Sequence, residues 1–257
     1  TRFMTLKSYS GHTSQNITAY RNVMGNIFIT GVSSGIGLGL TKKYLKEGWQ
    51  VYGLSRRECP VKGENLKTVQ VDLSDYANVP GALFELLSAV NTLDVVVLNA
   101  GVLGEIAEMQ KAPLTDLKKT MDINLWSNKV VLDWLFKHVS SVKQVIAVSS
   151  GAAVNGNKGW NGYSISKAAF NMMIKLYAVE ELDTHFMSFA PGLVDTAMQD
   201  YLCSRKDTVN FPSLSKIQSA RGTENMPTPD ELAEKLPAVF ERLLAYESGS
   251  FIDIRKM

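Results

Sequence analysis

Tyr163 and Lys167 stand four residues apart in Gly162-Tyr163-Ser164-Ile165-Ser166-Lys167. On a helix, that spacing puts both side chains on one face. An ammonium held beside a phenol favours the phenolate and lowers the tyrosine pKa from its usual value of about 10. The product is an acid/base able to work near neutral pH. The pair alone is also what a solvated helix face looks like, and its weight comes from company. Ser150 lies thirteen residues upstream, a glycine-rich stretch opens at Gly31, and Asn124 falls between them.

Such groups need a scaffold, and the chain has material for one. Its 257 residues suit one large α/β domain, and 45% hydrophobic with 20% charged residues describes an ordinary globule with ample core. A net charge of +2 is too small to argue for a nucleic-acid partner. No apolar run is long enough to span a bilayer. Cys59 and Cys203 lack metal-ligand spacing, so no metal is expected, and two free thiols in the cytoplasm are expected over a disulfide. Residues 1–24 stand apart, with Arg2, Lys7 and Arg21, many Ser and Thr, and no acid. They have a transit-peptide flavour, without a secretory apolar core. A tag or an extended start before Met24 is the other reading, and Asn16-Ile17-Thr18 matches a short glycosylation pattern.

From residue 25 onward, strand-length apolar runs alternate with helical patterns. The runs are 26–30, 49–54, 68–71, 94–98, 144–148, 185–190 and 250–254. Most are continuously apolar, as strands covered on both faces should be. Helices are expected over 36–47, 76–90, 114–138, 162–180 and 229–246. This alternation predicts an α/β fold with a doubly wound, Rossmann-like parallel sheet of about seven strands and helices on both faces. Residues 25–257 should form one domain. Segment 196–227 breaks the rhythm and reads as a lid over the carboxyl ends of the strands, or as a surface excursion.

The first run leads into Thr30-Gly31-Val32-Ser33-Ser34-Gly35-Ile36-Gly37 and then a helix. Glycines there let backbone approach a pyrophosphate, and the helix N-terminus offers free N–H groups. The second run ends at Ser55-Arg56-Arg57, with no acid to accept from a ribose 2′-hydroxyl. Two guanidinium groups suit a 2′-phosphate instead, so NADP(H) is expected over NAD(H). Asp72, with Leu73 beside it, is placed to accept from the adenine amine or to cap a turn. Asn99-Ala100-Gly101 puts small residues where backbone passes a ribose, or makes a simple turn.

The order of these motifs resembles the short-chain dehydrogenase/reductase family over residues 25–257. The matching elements are Thr30-Gly31-x-x-x-Gly35-Ile36-Gly37, Asn99-Ala100-Gly101, Asn124, Ser150, Tyr163-x-x-x-Lys167 and Pro191-Gly192-Leu193-Val194-Asp195-Thr196. One departure is Leu98, where many members carry a second asparagine. The resemblance implies Tyr163 as general acid in reduction and Lys167 as its pKa-lowering partner and ribose ligand. It implies Ser150, rather than Ser149, as holder of the carbonyl oxygen, and Asn124 as holder of a water linking Lys167 to solvent. Around Pro191 and Gly192, it implies that Val194 backbone and the Thr196 hydroxyl bind the nicotinamide carboxamide. A helix capped by Asp195 is the plainer reading of that turn.

Ser149–Val154 with Gly159–Tyr163, Ala190–Gln199 and Ser248–Asp253 are similar to a narrower branch, the sepiapterin and benzil reductases. In sepiapterin reductases an aspartate at the position of Asp253 anchors the pterin; pairing with a helix or capping a turn is the alternative here. Trp160, Met198 and Tyr201 would give flat apolar walls or plain packing. The resemblance implies NADPH-dependent reduction of a small-molecule ketone, either a benzil-type vicinal dicarbonyl or a pterin side-chain ketone. An NADP-linked secondary-alcohol dehydrogenase and a nucleotide-binding signalling protein are the other functions considered. Kinship further implies a homodimer or tetramer formed through 114–138 and 162–180.

Overall fold

Seven parallel strands make one sheet in the computed structural model, which describes residues 25–257. They are β1 (Asn26–Thr30), β2 (Gln50–Ser55), β3 (Leu66–Gln70), β4 (Thr92–Leu98), β5 (Ser141–Val148), β6 (His185–Ala190) and β7 (Ser250–Asp253). Their order is β3-β2-β1-β4-β5-β6-β7, so the direction of winding reverses between β1 and β4. In an open sheet of this kind, the crevice at that reversal is where ligands bind. The transit-like stretch and the Asn16 pattern lie outside the described residues.

Alternation along the strands builds two cores. Phe28 points to one face, where it joins Leu54, Leu98, Leu135, Phe170 and Ile174. Ile27 and Ile29 point to the other, with Leu40, Leu236 and Phe240. Helices α2 (Val79–Leu87), α4 (Ser127–His138) and α5 (Asn161–Glu180) supply the first set, and α1 (Gly35–Lys46) and α8 (Pro229–Leu243) the second. Phe28, Ile29, Leu40 and Phe170 are essentially free of solvent. Burial of such a side chain contributes about 1.5–3 kcal/mol. A third apolar cluster, with Leu103, Trp160, Tyr163, Leu202, Phe211 and Leu214, holds α6 (Ala197–Ser204) and α7 (Pro212–Ala220).

Several boundaries differ from the sequence reading. The helix expected over 114–138 is two, α3 (Leu114–Met121) and α4, joined by a wider π-type turn at Asp122–Trp126 that carries Asn124. The helix expected over 76–90 begins only at Val79. Hydrogen bonds from Asp75 N to Asp72 O and from Asn78 N to Asp75 O turn the chain first, and Pro80 opens the helix. At the sheet edge β3 exposes Lys67, Thr68 and Gln70 instead of lying covered on both faces. The start of α8 has a reciprocal cap that sequence reasoning overlooked, Thr228-Pro229-Asp230-Glu231. No helix among the described residues is long and apolar enough to cross a membrane.

Candidate active site

At the β1/β4 reversal lies a cavity of ≈ 390 Å³. One end is built by the turn from β1 into α1. Gly31 has φ +83° and Gly35 φ +58°, backbone conformations that a side chain would strain. Thr30 stitches the neighbouring strand to this turn, since its hydroxyl accepts from Asn99 N and Ala100 N, both at 3.0 Å. Asn99 returns a bond from Nδ2 to Thr30 O at 2.9 Å. Gly31, Ser33, Ser34, Gly35 and Ile36 all face the cavity, as do Asn99, Ala100 and Gly101. Gly37 does not. A Cβ on it would stand 2.2 Å from Gly31 O, so its task is to let α1 pack on the turn.

The N-terminus of α1 fits a dinucleotide pyrophosphate. Its first turn carries no acidic residue, and Ser34 at its N-cap makes no side-chain cap, so the first N–H groups remain available. Arg57 donates from Nη2 to Ser34 Oγ at 3.1 Å, while Ser55 Oγ donates to Arg57 O at 2.6 Å. Arg56 lies exposed with Nη1 4.0 Å from Asp72. All three residues at the end of β2 line the cavity, together with Asp72 and Leu73. Asp72 also caps a turn, accepting from Ser74 N at 2.9 Å and Ser74 Oγ at 2.7 Å. Those bonds hold its carboxyl below the usual range.

The other end holds the reactive side chains. Tyr163 and Lys167, on α5, are buried and share the cavity with Ser150 at the end of β5. The Ser150 side chain stands beside the Tyr163 phenol. Burial raises the Tyr163 pKa, and the neighbouring Ser150 hydroxyl pulls only partly the other way. This corrects the expected acidified phenol. The Lys167 ammonium donates to Val148 O at 2.8 Å and lies 5.9 Å from the Tyr163 ring centre. Burial lowers its own pKa to about 8. The Asn124 side chain is engaged by the protein itself. Its side chain accepts from Val102 N at 2.8 Å and donates to Val102 O at 2.8 Å and Ser166 Oγ at 2.9 Å. It lies behind the cavity wall, satisfying backbone.

Pro191, Gly192, Val194 and Thr196 line the cavity beneath α6. Thr196, not Asp195, is the N-cap of that helix, and the Asp195 carboxylate pairs with Arg221 at 3.1 Å. Trp160 and Met198 form walls as expected, and Trp160 Nε1 donates to Ser213 Oγ at 2.8 Å. Tyr201 does not line the cavity; its hydroxyl accepts from Ile106 N at 3.4 Å. Asp253 is also off the wall. One carboxylate oxygen accepts from Arg255 N and Nε, at 3.1 and 2.9 Å, and the other from Arg255 Nη2 at 2.6 Å. Ser149, set aside in favour of Ser150, lines it too, as do Leu193, Gln199 and Leu202, which sequence reasoning did not single out for the site. Helical spacing from Met198 would have flagged Leu202.

This geometry agrees with comparisons to known proteins. A family model for short chain dehydrogenases matches residues 25–207. The chain is 31% identical over 242 residues to a benzil reductase ((S)-benzoin forming) of Bacillus subtilis, covering 89% of this chain and 97% of that protein. To a sepiapterin reductase of Rattus norvegicus it is 28% identical over 183 residues, 66% of this chain and 69% of that one. In fold it is similar to a short chain dehydrogenase/reductase from Saccharomyces cerevisiae. The TM-score is 0.79 at 24% identity, with 89% and 95% of the two chains covered. ElxO with NADP bound is similar at TM-score 0.73 and 23% identity, with 90% and 96% covered. The site and fold are those of an oxidoreductase acting on carbonyl or alcohol groups. The chain belongs to the short chain dehydrogenase family.

Proposed function

We propose that the protein is an NADPH-dependent carbonyl reductase that reduces vicinal dicarbonyls of the benzil type. The observation that carries this reading is that Ser150, Tyr163 and Lys167 line one cavity with the glycine turn. Gly31, Gly35 and the open N-terminus of α1 would hold the pyrophosphate, and Arg56 and Arg57 the 2′-phosphate. Bound there, a reduced nicotinamide supplies the hydride. Tyr163 keeps its proton at neutral pH because burial raises its pKa, so it is poised to donate to the carbonyl oxygen. Ser150 Oγ holds that same oxygen, where negative charge grows. The buried ammonium of Lys167 stabilises the phenolate that Tyr163 leaves behind. The start of segment 196–227, from Thr196 to Leu202, walls one side of the site and would limit the entry of water.

Support for an aromatic diketone comes from the walls. Trp160, Met198 and Leu202 offer flat apolar surface, and relatives named benzil reductase match nearly the full chain. A pterin is the weaker fit, because both oxygens of Asp253 are engaged by Arg255. The test is spectrophotometric NADPH oxidation with benzil and with sepiapterin. Turnover with benzil well above sepiapterin is expected, and no turnover with any dicarbonyl would remove the reading. Two copies would pair through α5, whose Ile165, Met172, Leu176 and Val179 form an exposed stripe. Light scattering showing a monomer at micromolar concentration would refute that pairing.

The rate should also carry the mark of Lys167. Its pKa of about 8 is depressed, so the ammonium is present below that value and lost above it. The value of kcat/KM for NADPH, which reports the free enzyme, should be level near neutrality and fall as pH rises through about 8. A profile level up to about pH 10, the ordinary lysine range, would exclude Lys167 as the controlling charge.

A further inference from the structure

Gln199 brings an unmet acceptor to the cavity wall. It is only 8% exposed and lines the same space as Ser150 and Tyr163. Its carboxamide oxygen is buried without a partner. Leaving such a group unpaired is costly, and interiors rarely do so without a purpose. The hydroxyl of Ser149, another cavity residue, is unpaired too. A hydroxyl both donates and accepts, so it suits almost any ligand group. An amide oxygen only accepts, so whatever meets it must bring a hydrogen.

Its place along α6 says what comes near. The helix begins beside the glycine turn, where Thr196 Cγ2 stands 3.4 Å from where a Cβ on Gly35 would be. It ends against the reactive side chains, since Leu202 packs in one cluster with Trp160 and Tyr163. Gln199 lies three residues from each, on the face that Thr196 and Leu202 share. Its backbone N–H donates to Thr196 O at 2.8 Å, which fixes the first turn. A ring that carries the hydride must lie between the same two ends. Its phosphate arm belongs at the glycine turn and its reacting carbon beside Ser150 and Tyr163. The ring has one polar substituent, a carboxamide whose nitrogen carries hydrogens to give. A ketone oxygen has none.

We propose that Gln199 orients the cofactor, its side-chain oxygen accepting a hydrogen bond from the carboxamide N–H of the nicotinamide. This deepens the NADPH reading above and rests on it. Val194 and Thr196, on the same wall, remain for the other polar atoms of that substituent. A ring held by its one polar group cannot turn over about its bond to the ribose. The same face then stays toward Ser150 and Tyr163, which is the orientation that hydride transfer requires. A site built to pair a ligand N–H discriminates against the analogue lacking it.

NADP+ and its acetylpyridine analogue differ in that group alone, a methyl replacing the amide nitrogen while the carbonyl stays. Calorimetry measures the affinity of both for wild type, Gln199→Leu, Gln199→Met, Gln199→Glu and Ser149→Ala, with melting temperatures alongside. Wild type should favour NADP+. That preference should fall about fivefold in Gln199→Leu and Gln199→Met, the loss of one neutral hydrogen bond. Gln199→Glu keeps an acceptor without a donor and should hold the preference, as should Ser149→Ala. An unchanged preference in Gln199→Met overturns the proposal, including a parallel weakening of both nucleotides, which marks a packing role. A lost preference in Gln199→Glu or in Ser149→Ala overturns it too, by assigning the contact to the Gln199 nitrogen or to Ser149. If Gln199→Leu melts early, Gln199→Met, of similar length, decides. The readout needs no ketone, so absent benzil turnover leaves it standing. A wild type that binds no NADP+ overturns the nucleotide reading itself, and this proposal with it.

Discussion

Tyr163→Phe should lower kcat for ketone reduction by about 10²- to 10⁴-fold, the range expected when a positioned proton donor is removed. NADPH affinity should stay within about twofold, because the change deletes one oxygen from a ring that stays packed on Trp160, 5.9 Å between ring centres. The prediction follows from which proton is where. Tyr163 is buried with its pKa raised, and Ser150 stands beside it. Without the phenol, Ser150 still holds the substrate oxygen but has no proton to spare for it. Single-turnover reduction of benzil, with NADPH binding followed by fluorescence, separates the two effects. Retention of more than about a tenth of the wild-type rate would assign the proton to another group.

The second large effect concerns the nucleotide. Arg56→Ala with Arg57→Ala should weaken NADPH binding by about 10- to 100-fold and NADH binding by less than about threefold. Arg57 should account for more of the loss. Its guanidinium is already aimed across the turn by its bond to Ser34, whereas Arg56 is largely exposed and its attraction is screened by water. No carboxylate ends β2 to reward NADH, and Asp72, beyond β3, already accepts from Ser74 through one oxygen. Titration of both nucleotides against both proteins gives the ratio. An equal loss for NADPH and NADH would detach the arginines from the 2′-phosphate.

Much of the fold was legible without coordinates. Apolar runs located all seven strands, because a strand covered on both faces must be apolar along its length, and β3 and β7 at the two edges depart from that rule. The glycine turn was legible because φ above zero and close backbone approach are demands that few residue types meet. The spacing of Tyr163 and Lys167 put both on one helix face by a local rule, the family resemblance singled out Ser150, and all three line one cavity.

What tertiary structure alone decided is which polar group each side chain serves. Lys167 aims its amine at Val148 O on β5, Asn124 closes on Val102 and Ser166, and Asp253 is held by Arg255. In the same way α6 turned Gln199 rather than Tyr201 into the cavity. Residue types and intervals determine that donors and acceptors exist and roughly where. Their pairing is a competition among groups far apart in the chain, and burial decides how much each protonation state costs. That is why the chain order announced an oxidoreductase site, while the proton on Tyr163 and the depressed pKa of Lys167 appeared only once both were enclosed.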